Sequence, residues 1–176
     1  YPDPFDVLEN IGSDSLRWFL VSSPVLKGGN VAVDKEGKEI AKASRAAMIP
    51  LWNAFYFFTL YANAEDYEAK EISSSSEAID NYILSKLKNL AVVVKKNLET
   101  YEVADACAKV SDFMEILNNW YIRRTRDRFW EGEHNAFDTL YTVLVNVSKI
   151  AAPLMPFICE YVYKTLTKGE SVHLCD

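Results

Sequence analysis

The chain has 176 residues, of which 49% are apolar and 25% charged, with a net charge of −6. That length and balance suit one packed core, alone or with a small appendage, and exclude both a disordered chain and two large domains. No apolar run approaches the roughly 20 residues that cross a bilayer, and the N-terminus carries neither a basic nor an apolar leader, so the expectation is a cytosolic protein with no membrane partner.

Taken in chain order, Asp3 caps a short helix with Pro4 at its first position, and Gly12 suits its stop. Ser13 opens a second helix that closes at Ser23-Pro24. The stretch from Lys27 to Gly37, with alternating Val31-Ala32-Val33 between glycine turns, predicts one or two short strands. From about Lys38 the period becomes helical, with Ala41, Met48, Leu51, Trp52, Phe55, Phe58 and Ala62 on one face and Pro50 as a kink.

A polar connector from Glu65 to Ser76 follows, with Ser76 as the cap of a helix over Ala78 to Glu99. The next helix opens near Val103 and runs to Gly132. Asn135 and Asp138 have capping-box spacing for another helix to about Ile150, and Pro153 and Pro156 start the last, which Gly169 ends. The fold class expected is mostly α: an antiparallel bundle of about five helices, residues 38–176, preceded by a small α/β element, residues 1–37.

Catalytic chemistry has little foothold. His134 falls in a loop and His173 near the end, neither beside a nucleophile. Gly28-Gly29 lacks the Lys-Ser/Thr of a phosphate loop, and the three cysteines, 107, 159 and 175, fit neither a disulfide framework nor a zinc knuckle. Cys107 and Cys159 read as small buried apolar residues. No cofactor or metal is expected in this stretch. The terminal segment from Ser171 looks like a strand or loop cut short, and the chain does not start with Met, so it is expected to be a fragment of a larger protein.

The informative segment is NWYIRRTRDRFW, Asn119 to Trp130. Arg123 to Arg128 carries +3, leaving −9 on the remainder, so a basic patch sits on an acidic body. With Arg123 at zero, Arg124, Arg126 and Arg128 fall near about 100°, 300° and 140°, and Trp120 and Trp130 near about 60° and 340°, while the helix's core stripe lies at about 120–200°. Two indoles share a face with arginines, a combination that stacks on bases and pairs with phosphates. A second reading stays open on residue types alone, because Phe113 and Ile116 lie on the same side, so Trp120 can pack on a neighbouring helix, and cations are favoured at any helix C-terminus.

This segment resembles the signature of the anticodon-binding helical domain of the isoleucyl-tRNA synthetases, which are class I enzymes. The opening YPDPFDVLENIGSDSLRWFLVSSP resembles the stretch after that family's KMSKS loop, Leu51 to Ala62 its first long bundle helix, and Pro153 to Tyr163 its Pro-Phe-x-Pro-Phe-x-x-Glu pattern. Leu154, Tyr161, Ser13 and Ser15 depart from the usual residues at packing or cap positions. The proline helix is shared with the valyl, leucyl and methionyl enzymes, whereas Tyr1-Pro2-Asp3-Pro4 and the Trp120 to Trp130 segment point to the isoleucyl branch.

The resemblance implies that residues 1–37 form a stem-contact element after the catalytic domain of the same polypeptide, and that the bundle grips the anticodon stem-loop of isoleucine tRNA. By matching positions, Trp120, Arg123, Arg124, Arg126, Arg128 and Trp130 lie at the RNA, with Asn53 and Phe57 as weaker candidates; for Asn53 a helix-to-helix hydrogen bond is the competing role. The parent enzyme would use ATP with Mg and esterify tRNA through motifs absent here, so this stretch would be inactive alone. The rivals are the same domain from a valyl or leucyl enzyme, and a non-enzymatic helical adaptor for an acidic partner.

Overall fold

The computed structural model describes residues 3–31, 33–34 and 36–175. Helix α1 (Pro4–Asn10) starts where Asp3 Oδ1 accepts the Phe5 N–H at 2.8 Å, and α2 (Ser13–Ser22) follows. Gly12 turns the chain between them at φ +97°, a left-handed conformation that a Cβ would strain. Trp18 carries α2 into the main core.

Among the described residues there is no strand, so the expected α/β element is not seen and its regular structure is helical only. Pro24–Lys27 is a single 3-10 turn. Ala32, in the middle of the expected strand, lies outside the described residues, while Val31 and Val33 beside it are in no regular element. Three alternating residues present too short an edge to pair without a partner strand. Instead Asp34 caps the next helix, α3 (Lys38–Ala43), by accepting the Lys38 N–H at 3.1 Å.

The long kinked helix expected from Lys38 is two helices. The chain turns at Ser44 to Ala47 and restarts as α4 (Met48–Ala64). Pro50 therefore stands in a first turn, where a missing N–H has no intrahelical partner to lose, and breaking the helix ahead of it avoids the clash that an interior proline causes.

Five long rods make the bundle: α4, α5 (Ala78–Glu99), a continuous rod from Val103 to Trp130, α8 (His134–Ala151) and α9 (Pro156–Thr167). The rod comprises α6 (Val103–Glu115), a π-helical segment (Ile116–Ile122) and α7 (Arg123–Trp130). The central helix is α8, with Phe137, Leu140, Val143, Leu144 and Val147 fully buried.

Side-chain hydrogen bonds pin the connector from Glu65 to Glu77 down. Asp138 accepts from the Tyr67 hydroxyl at 3.0 Å and the Lys70 N–H at 2.9 Å, and Thr142 Oγ1 accepts the Ile72 N–H at 2.9 Å. Two expected caps are thereby reassigned. Ser75, not Ser76, accepts the Glu77 N–H before α5, and Asn135 donates to Ser76 at 3.1 Å rather than capping α8. His134 is the first residue of α8, not a loop residue, and stacks on Tyr67 at 4.1 Å. The end of the chain forms a 3-10 turn, Val172–Leu174.

A clasp joins α2 to the start of α9. Arg17 donates to the Pro153 carbonyl at 2.8 and 3.1 Å, and Asp14 accepts the Phe157 and Ile158 N–H groups at 3.3 and 2.8 Å. Asp14 thus caps a helix 143 residues away in sequence, offsetting two of its orphan donors. Asp14→Ala is expected to cost about 1 kcal/mol, or roughly 2–4 °C in melting temperature by circular dichroism; an unshifted melt would remove the cap from the stability account.

Candidate nucleic-acid interface

The basic segment sits at the end of the Val103 to Trp130 rod, and the π segment sets its orientation. A π turn uses i→i+5 hydrogen bonds and so takes in extra chain per turn, which shifts the helical phase of everything after it. Side chains secure this turn from both sides. Asn118 donates its amide to the Met114 carbonyl at 3.0 Å and to the Pro50 carbonyl of α4 at 3.2 Å, and Thr125 donates to the Tyr121 carbonyl at 2.8 Å.

Beneath the turn lies a buried ionic network centred on Asp80, in the first turn of α5. Asp80 is fully buried and accepts Arg128 Nη1 and Nη2 at 2.8 and 3.0 Å, the Tyr121 hydroxyl at 2.9 Å and the Ser75 hydroxyl at 2.8 Å. Arg128 Nε is held by Glu133 at 2.7 Å. The Asp80 carboxylate raises the Arg128 guanidinium further above its ordinary range, and burial together with Asp80 pushes the Tyr121 hydroxyl up. Both therefore keep their protons at any physiological pH. Asp80 also stands where a helix N-terminus favours negative charge.

Arg128 is thus turned into the fold, its side chain only 16% exposed and all three guanidinium nitrogens engaged. Its place is with the network rather than with the free cations of the patch. Phe57 also faces inward, meeting Phe129 edge-on at 5.0 Å and Tyr61 at 4.8 Å. Asn53 is exposed at the lip of a groove between α4 and α6.

The remaining candidates are exposed or half-buried at the surface. Trp120 is half-buried against Tyr82 of α5, ring centroids 4.7 Å apart, and the Arg124 guanidinium lies 5.4 Å from the Trp120 ring. Lys86 in turn sits 5.2 Å from the Tyr82 ring. Lys86, Tyr82, Trp120 and Arg124 form a ladder in which two packed aromatic rings are flanked by a cation at each end, each ring held by its neighbours. Trp120 thus packs on a neighbouring helix, as one of its two readings has it, and also carries an arginine on its face. Arg123 and Arg126 are exposed on the same rod, and Trp130 at its end is 78% exposed. Tyr82 and Lys86 were not identifiable from the basic segment, because they come from another helix with no local signal of their own.

Away from this face, burial pushes the Cys107 thiol up to about 12 and the Cys159 thiol higher still, in keeping with two inert core residues. Among the described residues no helix is long and apolar enough to cross a membrane.

Fold and surface together define a helical domain with a small cationic and aromatic face on an otherwise acidic body. The chain belongs to the family described as the anticodon-binding domain of tRNA ligase, whose model matches residues 80–176. Over its whole length it is similar to isoleucine–tRNA ligases: 49% identical over 182 residues to that of Leifsonia xyli subsp. xyli, 45% over 184 to that of Bifidobacterium longum and 42% over 176 to that of Mycobacterium tuberculosis. All of this chain is covered in each case but only 16% of each relative, so the chain spans about a sixth of their length.

Proposed function

We propose that this chain is the anticodon-binding part of an isoleucine–tRNA ligase and holds the anticodon stem-loop of isoleucine-accepting tRNA. The observation that carries the reading is the Lys86, Tyr82, Trp120 and Arg124 ladder, with Arg123, Arg126 and Trp130 exposed on the same rod, within the stretch that matches the family. Arginine and lysine would neutralise backbone phosphates, and the indole faces would stack on unpaired bases. Residues 1–37 would make the stem contact after the catalytic domain and residues 38–176 the grip. The catalytic domain of the same polypeptide would supply isoleucine activation with ATP and Mg, in the cytoplasm. The family match speaks against the adaptor reading, and the names of the relatives favour isoleucine over valine or leucine.

Three or four phosphate contacts give a log–log salt slope of roughly −2 to −3, at about −0.7 per contact on single-stranded RNA. Binding of an isoleucine tRNA transcript, titrated with KCl, is expected to show that slope, with weaker binding of transcripts carrying valine or leucine anticodons. A salt-independent affinity would sink the phosphate grip, and equal affinity for all three transcripts would sink the isoleucine assignment.

A further inference from the structure

Helix α2 and the Pro24–Lys27 turn after it lie against the starts of three bundle helices, and each start is held by a different polar contact. Asp14 accepts the Phe157 and Ile158 N–H groups of α9, and Arg17 donates to the Pro153 carbonyl just ahead of it. The buried Ser15 hydroxyl donates to the sulfur of Met48, the first residue of α4, at 3.7 Å. Lys27 Nζ meets Glu102 at 2.5 Å and Asp105 at 3.8 Å, at the start of the rod.

These contacts do something that burial alone does not. Trp18 carries α2 into the core, but a single apolar anchor leaves a short helix free to pivot about it, because the hydrophobic effect has no direction. Hydrogen bonds and paired charges do have direction, and attachments to three different helices fix the angle of α2 on the bundle. The ion pairs of Lys27 are exposed and add little stability. Their effect is on orientation.

Orientation matters because the cationic segment is remote. The rod starts at the partners of Lys27 and ends with Arg123 to Trp130, about 30–40 Å away at about 1.5 Å per residue. A pivot of about 10° at α2 would displace that segment by about 5–7 Å over such a length. Misplacing reacting groups by about 1 Å can already cost about 100-fold in rate.

We propose that Asp14, Arg17 and Lys27 are positioning residues for tRNA charging. They lock the element that follows the catalytic domain to the bundle at a fixed angle, so that a tRNA gripped at the far end of the rod has its acceptor end brought to the catalytic centre. The inference rests on the anticodon-binding reading above and adds to it a role for residues that touch neither RNA nor amino acid.

The test uses the intact polypeptide that contains this chain, as wild type and as the triple variant Asp14→Ala, Arg17→Ala, Lys27→Ala. Isoleucine-dependent pyrophosphate exchange and affinity for an isolated anticodon stem-loop are both expected to stay within about twofold of the wild type, since neither needs the two ends held together. The single-turnover rate of isoleucine transfer to full-length tRNA is expected to fall about tenfold, the RNA's own flexibility absorbing part of the displacement. Asp14→Asn alone, which keeps a capping oxygen, is expected to transfer as wild type, whereas Asp14→Ala alone is expected to be slower. Wild-type transfer by the triple variant would overturn the proposal, and so would an equal fall in pyrophosphate exchange, which would mark general damage to the protein. If the wild-type polypeptide neither binds the stem-loop nor charges isoleucine tRNA, the anticodon-binding reading itself falls and takes the proposal with it.

Discussion

Asp80→Ala is expected to destabilise the domain by about 3–5 kcal/mol, the range for removing one partner of a buried ion pair. The cost comes less from the lost bonds than from what stays behind. Arg128 keeps its charge, since its guanidinium cannot deprotonate, and with Asp80 gone two of its nitrogens face a buried cavity together with the Tyr121 and Ser75 hydroxyls. For a chain of this size the melting temperature should fall by roughly 6–20 °C. Asp80→Asn, which keeps the shape but not the charge, should fall between that variant and the wild type. The network ties α5, the π turn, α7 and the serine connector together, so its loss should also loosen the part of the rod that carries the arginines. Hydrogen exchange should show this as faster exchange over 116–130 than over α8. An Asp80→Ala protein melting within 2 °C of the wild type would show that the buried pair adds no net stability.

Much of this architecture is written in local signals. Asp3-Pro4, Ser13 and the apolar spacing from Ile79 to Leu98 place α1, α2 and α5 as observed, since caps and a 3.6-residue period need no tertiary information. Pro50 marks a discontinuity correctly, but whether proline kinks a helix or begins one depends on where the preceding turn closes, which the residue itself does not encode. The strand expected near Val31 fails because alternation is only half of a strand, the other half being a partner to pair with.

The exposed cationic face was legible in outline, but one of its four arginines turns inward. The helical wheel put Arg128 near about 140°, inside the core stripe at about 120–200°, and that clash was the available sign that its guanidinium points inward. Its partner, Asp80, lies 48 residues away, and nothing short of the fold brings the two together. The π turn was equally hidden, because an i→i+5 segment leaves no composition signature, yet it decides how Trp120 and Arg124 meet Tyr82 and Lys86.

That division of the four arginines leads to the second large effect. Replacing Arg123, Arg124 and Arg126 together with alanine is expected to lower affinity for tRNA about 100-fold, as three exposed charge-assisted contacts at about 1 kcal/mol each. The salt slope should flatten by about 2. All three are exposed, so the melting temperature should change little. Arg128→Ala should do the reverse, costing about 3–5 kcal/mol of stability by stranding the buried Asp80 carboxylate, while the molecules that remain folded keep the wild-type salt slope. Arg128→Lys should not restore stability in full, because a single ammonium cannot hold both Asp80 oxygens and Glu133 as the planar guanidinium does. Paired salt titrations and thermal melts on the triple variant and on Arg128→Ala separate the two roles. If Arg128→Ala flattens the salt slope as one of the other three does, its guanidinium reaches phosphate after all, and the inward network must open when RNA binds.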